Sequence, residues 1–332
     1  MKAVMCVRHG PAEQLVVQDL PDPVPGPGEV VVDVAAVGLN FFDTLIIRDL
    51  YQHKPPLPFS PGAEFSGFVS ALGEGVDDLR IGDRVAGYMT SGAAREKVVV
   101  KAQILAPVPD DLDLVRAAGL IVTYGTALYA LRDRGELKAG ETLAVLGAAG
   151  GVGLAAVELG KVLGARVIAC ASAQDKLDFA RAHGADEGID YTQQDLKLAL
   201  KALGGERGID VVFDPVGGAQ SEQAVRALGW CGRLLVIGFA AGEIPKLPLN
   251  LLLLKNCDAR GVAFGAQARR DVPWLRTAAA ELIGHARAGR ISAHVDTTFP
   301  LVNCADALGE IAGRRVKGKV VLTTQLARGN GV

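Results

Sequence analysis

The stretch Ala144-Val-Leu-Gly-Ala-Ala-Gly-Gly-Val-Gly153, continued by Leu154-Ala-Ala-Val-Glu-Leu-Gly-Lys-Val-Leu163, decides the fold. It opens as an apolar run suited to a buried strand. Glycines at 147, 150 and 153 break that run, and residues 154–163 then read as a helix. Strand, glycine turn and helix in this order bring bare backbone N–H groups to a helix N-terminus, an arrangement that binds a dinucleotide pyrophosphate. The G-x-x-G-x-x-G spacing is a variant of the usual fingerprint, and the flanking strand and helix supply the context the motif requires. Ala149, Gly150, Gly151, Val152 and Gly153 are therefore the expected pyrophosphate loop. A glycine turn with no ligand is the plainer alternative.

Outward from this motif the rhythm is strand, helix, strand. Strands are predicted at 142–146, 166–171, 187–190, 211–213 and 234–237, with a sixth over 259–264. Helices are predicted near 152–163, 175–182, 193–203 and 219–228. Alternating βα units give a parallel, doubly wound Rossmann sheet with right-handed crossovers. The preceding part is different. Short strands near 30–37, 64–72, 82–87 and 96–101, punctuated by Gly and Pro, suggest a compact β-rich, barrel-like domain. The tail holds two predicted helices (273–288 and 304–312) and one strand (318–323), too little for a third domain. It is expected to return to the first. The predicted division is 1–117 plus 265–332 for the β-rich catalytic domain and 118–264 for the inserted nucleotide domain, with a cleft between the lobes.

Composition narrows the function classes. The chain has 332 residues, 49% hydrophobic and 22% charged, enough for two domains with real cores. A net charge of −2 and only 5% aromatics disfavour a nucleic-acid partner. The odd set of five cysteines (6, 170, 231, 257 and 304) lacks metal-ligand spacing and reads as free thiols. No apolar run of about 18 residues suggests a membrane span, and no signal peptide is read at the N-terminus. A cytoplasmic protein is the expectation.

The end of the second strand, Ile168-Ala-Cys-Ala-Ser172, selects the coenzyme. An NAD-binding fold places an Asp or Glu there for the ribose 2′-OH. Here Ser172 stands at that point and Lys176 follows one turn later, which removes repulsion and adds attraction for a 2′-phosphate. NADP(H) is favoured over NAD(H). The rival reading gives the acid role to Asp175 and leaves Ser172 as a helix cap. Tyr191, at the tip of the third strand, either flanks the same phosphate or packs on the sheet. Val216 in Asp214-Pro-Val-Gly-Gly218, Gly238, Phe239 and Phe264 are expected along the coenzyme crevice, with Gly238 and Phe239 beneath the nicotinamide. Thr126, on a helix, is expected to bond the carboxamide or ribose, or else is an ordinary helix residue.

Several ordered motifs carry a resemblance: Gly38-Leu-Asn-Phe-Phe-Asp-Thr44, Pro61-Gly-Ala-Glu-Phe-Ser-Gly67, Gly82-Asp-Arg-Val85, Ala148-Ala-Gly-Gly-Val-Gly153 and Val316-Lys-Gly-Lys319. Over nearly its whole length the chain resembles the zinc-free quinone oxidoreductase branch of the medium-chain dehydrogenase/reductase superfamily. The resemblance implies a GroES-like catalytic domain, a Rossmann domain and a homodimer joined through edge strands of the nucleotide domains. Zinc-dependent relatives carry Cys where this chain has Asn40 and His where it has Ala63, and residues 88–95 hold no cysteine-rich zinc loop. Glu64 alone cannot supply the ligands that catalytic zinc needs, so no metal is expected.

Hydride transfer to a conjugated acceptor does not demand a metal, because a quinone or α,β-unsaturated carbonyl spreads the incoming charge over its own π-system. The expected function is NADPH-dependent reduction of a quinone or other conjugated carbonyl. Enone, alkenal and enoyl-thioester reduction stay open, as does a non-enzymatic nucleotide- or RNA-binding role. Asn40 is the expected polar contact of the nicotinamide or the acceptor oxygen, with a backbone-bonded turn residue as the alternative. Related quinone reductases often carry Tyr where this chain has Leu45. Tyr51 is the nearest aromatic, and it or Lys54 is expected either near the acceptor oxygen or in an exposed loop. His53 reads as a solvated loop residue, and Arg269 and Arg270 as a weak basic entrance.

Overall fold

Strands broken by glycine and proline build the first unit of the chain. The computed structural model describes residues 1–328, and these divide into two compact units. The first holds Met1–Thr123, Gly265–Gly289 and the described residues from Ala293 onward; the second holds Tyr124–Phe264 and Arg290–Ser292.

The first unit begins with β1 (Lys2–Met5), β2 (Val16–Asp19) and β3 (Glu29–Leu39), followed by α1 (Phe41–Ile46). Next come β4 (Glu64–Leu72), β5 (Arg84–Tyr88), β6 (Lys97–Lys101), β7 (Leu105–Pro107) and α2 (Leu114–Ala117). β3 is its spine. It pairs antiparallel with β4 along one side and with β6 and a late strand along the other, so nearly all of its side chains are buried. A core of Val30, Val32, Val34, Phe65, Val85 and Leu105 results. The α1 helix follows from an Asn-x-x-Asp start. Asp43 at the third helical position accepts the Asn40 N–H at 2.8 Å, a capping-box arrangement with Asp in place of Glu.

α3 (Thr123–Leu128) leads into a π-helical turn (Tyr129–Arg134) and then five βα repeats and a sixth strand. These are β8 (Thr142–Leu146), α4 (Gly151–Val162), β9 (Arg166–Ala171), α5 (Gln174–Ala182), β10 (Glu187–Asp190) and α6 (Leu196–Gly204). They continue through β11 (Ile209–Asp214), α7 (Gly218–Ala227), β12 (Leu228–Val236), α8 (Asn250–Lys255) and β13 (Asp258–Gly261). All pairings are parallel, in the order β10-β9-β8-β11-β12-β13. That is the doubly wound Rossmann order, and its direction reverses between β8 and β11, where such sheets bind ligands.

Several predicted strands match residue for residue, but the sixth does not. β13 stops at Gly261, and Phe264 instead opens α9 (Phe264–Arg270). The chain then returns to the first unit through α10 (Val272–Arg287), β14 (Val295–Pro300), α11 (Cys304–Ala312), β15 (Lys319–Thr323) and α12 (Gln325–Arg328). β15 pairs antiparallel with β3, joining Val320 to Leu39 and Leu322 to Val37. Among the described residues no helix is long and apolar enough to cross a membrane.

Candidate functional site

The nucleotide-side residues of the second unit gather at the carboxyl ends of parallel strands. β8 ends at Leu146, and Gly147 turns the chain with φ +61°, a conformation that side-chain-bearing residues rarely adopt. Gly150 caps α4, so the first N–H groups of that helix, from Gly151, Val152 and Gly153, lack the carbonyl partners of a helix interior. The two later glycines differ. A Cβ at Gly153 would lie 2.2 Å from the Gly147 carbonyl oxygen, so helix and turn approach too closely for any side chain. A Cβ at Gly150 would meet the same oxygen at an ordinary 3.5 Å. Gly153 therefore serves the fold, whereas the surface over Gly150 is open to a ligand.

Across the reversal point, Asp214 shapes the loop after β11. Its Oδ1 accepts the Val216 and Gly217 N–H groups, each at 2.9 Å, and its Oδ2 accepts the Ser221 hydroxyl. Burial raises the Asp214 carboxyl above its usual range, and these bonds oppose the rise. This loop sets Val216 against the Gly147 turn, where a Cβ on Gly147 would lie 3.1 Å from a Val216 methyl. The Gly238 N–H reaches the Asp214 carbonyl at 3.3 Å, and the Phe239 ring lies against Gly217. Ala149, Gly150–Gly153, Val216, Gly238 and Phe239 thus share one end of the sheet.

Ser172 follows β9 directly, Lys176 lies in the first turn of α5, and the Tyr191 N–H bonds the Ala171 carbonyl at 3.1 Å. These three share the adjoining ends of β9 and β10. Asp175 is exposed in the same helical turn as Lys176. Thr126 is buried on α3, and a Cβ on its neighbour Gly125 would lie 2.7 Å from the Phe264 ring. Phe264 is thus packed on Gly125, the residue before Thr126, despite the helical start that replaces its predicted strand.

In the first unit a buried polar group surrounds Asn40. Lys319 Nζ, at the head of β15, donates to Asn40 Oδ1 at 2.6 Å and ion-pairs with Glu64 Oε1. Asn40 Nδ2 donates to Glu64 Oε1 at 3.0 Å and to the Gly38 carbonyl at 3.4 Å. The Val122 N–H donates to Glu64 Oε2 at 2.8 Å. Lys319 is donor-only and a carboxylate acceptor-only, so the Asn40 amide has one orientation. Both Nδ2 hydrogens are committed, and what Asn40 can offer a ligand is a lone pair on Oδ1. Of the two contacts expected of Asn40, nicotinamide or acceptor oxygen, this orientation suits one that offers it a hydrogen. Glu64 is fully buried. Asp43 is also fully buried; burial pushes its carboxyl up to about 6 even though it accepts the Asn40 and Gly62 N–H groups.

Beside this group lie the aromatic candidates. Tyr51 is half-buried and stacks on Phe42 with ring centres 5.4 Å apart, and burial raises its hydroxyl. Lys54 instead ion-pairs with Asp49 at 2.9 Å, with a well-exposed side chain. His53 is not a fully solvated residue: its ring nitrogen lies 3.4 Å from the Ser91 hydroxyl, and burial lowers its basicity.

Comparison with known proteins identifies the family. Residues 26–110 match the alcohol dehydrogenase GroES-like domain, and residues 151–281 match the family described as zinc-binding dehydrogenase. Quinone oxidoreductase-like protein 2 of Rattus norvegicus is 39% identical over 94% of this chain and 89% of its own length. Quinone oxidoreductase of Pseudomonas aeruginosa is 36% identical over 97% of this chain and 99% of its own. The Escherichia coli quinone oxidoreductase, solved in complex with NADPH, superposes with a TM-score of 0.91 at 29% identity, over 97% of this chain and 100% of that one. The chain belongs to the quinone oxidoreductase branch of the medium-chain dehydrogenase/reductase superfamily.

In this medium-chain oxidoreductase the sequence reading missed Lys319 and Asp43. A signal existed for Lys319 and Glu64, because each heads an otherwise apolar strand. Removing one member of such a pair strands a buried charge. Lys319→Met is expected to lower unfolding stability at pH 7 by about 3–5 kcal/mol in urea titration. Adding Glu64→Gln to that variant should restore a large part of the loss. Equal stability of Lys319→Met and wild type would show that the pair carries no net interaction.

Proposed function

We propose that this protein is an NADPH-dependent reductase of quinones and other conjugated carbonyl compounds that works without a metal ion. The buried Lys319–Glu64–Asn40 group carries this reading. The family match names zinc, yet Glu64 Oε1 is taken by an ammonium and an amide, and Oε2 by a backbone N–H. Among the described residues no group of three or more His, Cys, Asp or Glu could hold a metal ion. A tetrahedral zinc site needs such donors, and these residues do not fit one. An acceptor reduced here must delocalise its own developing charge, which a quinone or enone does.

NADPH supplies the hydride when bound, and this chain's residues hold and orient it. The N–H groups of Gly151, Val152 and Gly153 face the pyrophosphate over the open surface at Gly150. Ser172 and Lys176 engage the 2′-phosphate, with Tyr191 alongside. Val216, Gly238 and Phe239 line the nicotinamide end, with Thr126 and Phe264 bordering it. Asn40 suits the carboxamide NH₂, since its amide can only accept. Two resemblances support the coenzyme. The Escherichia coli protein was solved with NADPH, as was a mycobacterial protein with a TM-score of 0.90 and 30% identity.

Ser172→Asp with Lys176→Ala replaces attraction by repulsion at the 2′ position. Its NADPH-over-NADH preference in kcat/KM should fall at least tenfold, and unchanged selectivity would place the phosphate elsewhere. For the acceptor, NADPH oxidation is measured with 1,4-quinones, enones, alkenals and enoyl thioesters after dialysis against a chelator. Turnover of a conjugated carbonyl that survives chelation is expected. Turnover restored only by zinc, or none with any conjugated carbonyl, would sink the reading.

We also propose a homodimer joined through the open edge of β13. In support, that strand ends the sheet, and Trp230, Leu253 and Leu254 nearby are 72%, 81% and 69% exposed. Light scattering after size exclusion should give a two-chain mass for wild type and a folded monomer for Leu253→Glu with Leu254→Glu. A monomeric wild type at micromolar concentration rules the dimer out.

A further inference from the structure

Three helices of the Rossmann unit enclose a groove apart from the coenzyme loops. It has a volume of about 180 Å³, several times the ~30 Å³ share of one water, and lies between α6, α7 and α8. Lys255, which ends α8, donates to the carbonyls of Arg226 at 2.8 Å and of Leu228, the first residue of β12. The groove therefore sits by the amino end of β12. The coenzyme loops, carrying Gly147, Val216 and Gly238, follow the carboxyl ends of their strands.

The charge of this groove is one-sided. Lys197 and Lys201 of α6, Arg226 of α7 and Lys255 line it together with Leu251 and Leu254, and no carboxylate does. Arg226 is neutralised by Glu222 at 2.6 Å. Lys197 and Lys201 have no hydrogen-bond or ion-pair partner among the described residues. The Lys255 ammonium has three hydrogens, and two go to the carbonyls just named. Burial lowers its basicity, and the charge of Lys201 lowers it further. Helix stability does not explain this set. Lys197 stands in the first turn of α6, where the helix dipole disfavours a cation, and the Asp195 cap spends Oδ1 on the Leu198 N–H at 2.8 Å. Lys201 follows four residues later, where two like charges on one helix face repel. An anion in the groove offsets both effects.

We propose that this groove binds a water-soluble phosphate monoester, the phosphate held by Lys197, Lys201 and Lys255 and the carbon portion lying on Leu251 and Leu254. Charge selects phosphate over carboxylate. Three ammonium groups without counter-ions line the groove. A phosphate monoester brings them up to about two negative charges at pH 7, whereas a carboxylate brings one. A lysine ammonium binds phosphate as a point charge, with no need of the paired geometry that an arginine fork imposes. The leucines offer what an inorganic anion cannot use. Leu254 is 69% exposed and Leu251 is half-buried, so an alkyl group laid on them removes apolar surface from water.

Calorimetric titration with hexyl phosphate, methyl phosphate and hexanoate, with and without NADPH, tests the site. Hexyl phosphate should bind at one site per chain whether or not NADPH is present. It should bind about tenfold more tightly than methyl phosphate or hexanoate, and more weakly as salt is raised. Lys197→Gln with Lys201→Gln should weaken hexyl phosphate binding by about tenfold or more and leave NADPH affinity unchanged. That variant should melt no lower than wild type, because a repulsion is removed. Displacement of hexyl phosphate by NADPH would put the anion in the coenzyme crevice and overturn the proposal. So would an absence of binding at millimolar concentration, or equal affinity in wild type and the double variant. Vesicles of phosphatidic acid that bind where hexyl phosphate does not would overturn it in favour of a membrane surface. None of these outcomes bears on the reduction of conjugated carbonyls, which the acceptor series measures separately.

Discussion

The Lys319 ammonium on Glu64 is the interaction on which the GroES-like unit depends. A carboxylate with no exposure needs a cation or several donors, and Glu64 has both: Lys319, the Asn40 amide and the Val122 N–H. The same ammonium fixes Asn40, because a donor-only group on Oδ1 and an acceptor-only group on Nδ2 leave the amide a single orientation. Asn40 in turn gives its backbone N–H to Asp43, which starts α1. One charge at the head of β15 therefore sets a carboxylate, an amide and a helix start.

The nucleotide unit rests on a different constraint, close approach of backbone to backbone. Gly153 lets α4 come within reach of the Gly147 carbonyl, and Gly147 takes a conformation that a side chain would resist. Asp214 does with hydrogen bonds what those glycines do with space, holding the facing loop against the turn. The surface left for a ligand is the part that neither requirement uses, over Gly150. A glycine pattern in sequence mixes these purposes, and only coordinates separate them.

The Rossmann half was largely legible because its signals are local. Apolar runs located β8 and β9 to the residue, the alternation of strand and helix placed β10, and Ser172 with Lys176 stood near each other in sequence as in space. The sixth strand was overextended, because the apolar residues that follow Gly261 serve a helix start there. The polar group of the other unit was not legible. Asn40 and Lys319 are separated by 279 residues, and no periodicity reports so distant a pairing. β14 was missed for a related reason: its alternately exposed side chains make a weak strand signal, and its pairing with β15 supplies the order.

The pairing of β3 with β15 has a consequence for biosynthesis. The nucleotide unit is nearly contiguous and can condense while translation continues. The GroES-like sheet cannot close until its closing strand leaves the ribosome, and Lys319 arrives with it. Until then the nascent chain carries Glu64 with no counter-ion, and so that carboxylate must stay hydrated and its surroundings open. Completion of this unit therefore waits for β15, and the chain made before it carries a sheet that lacks its closing strand.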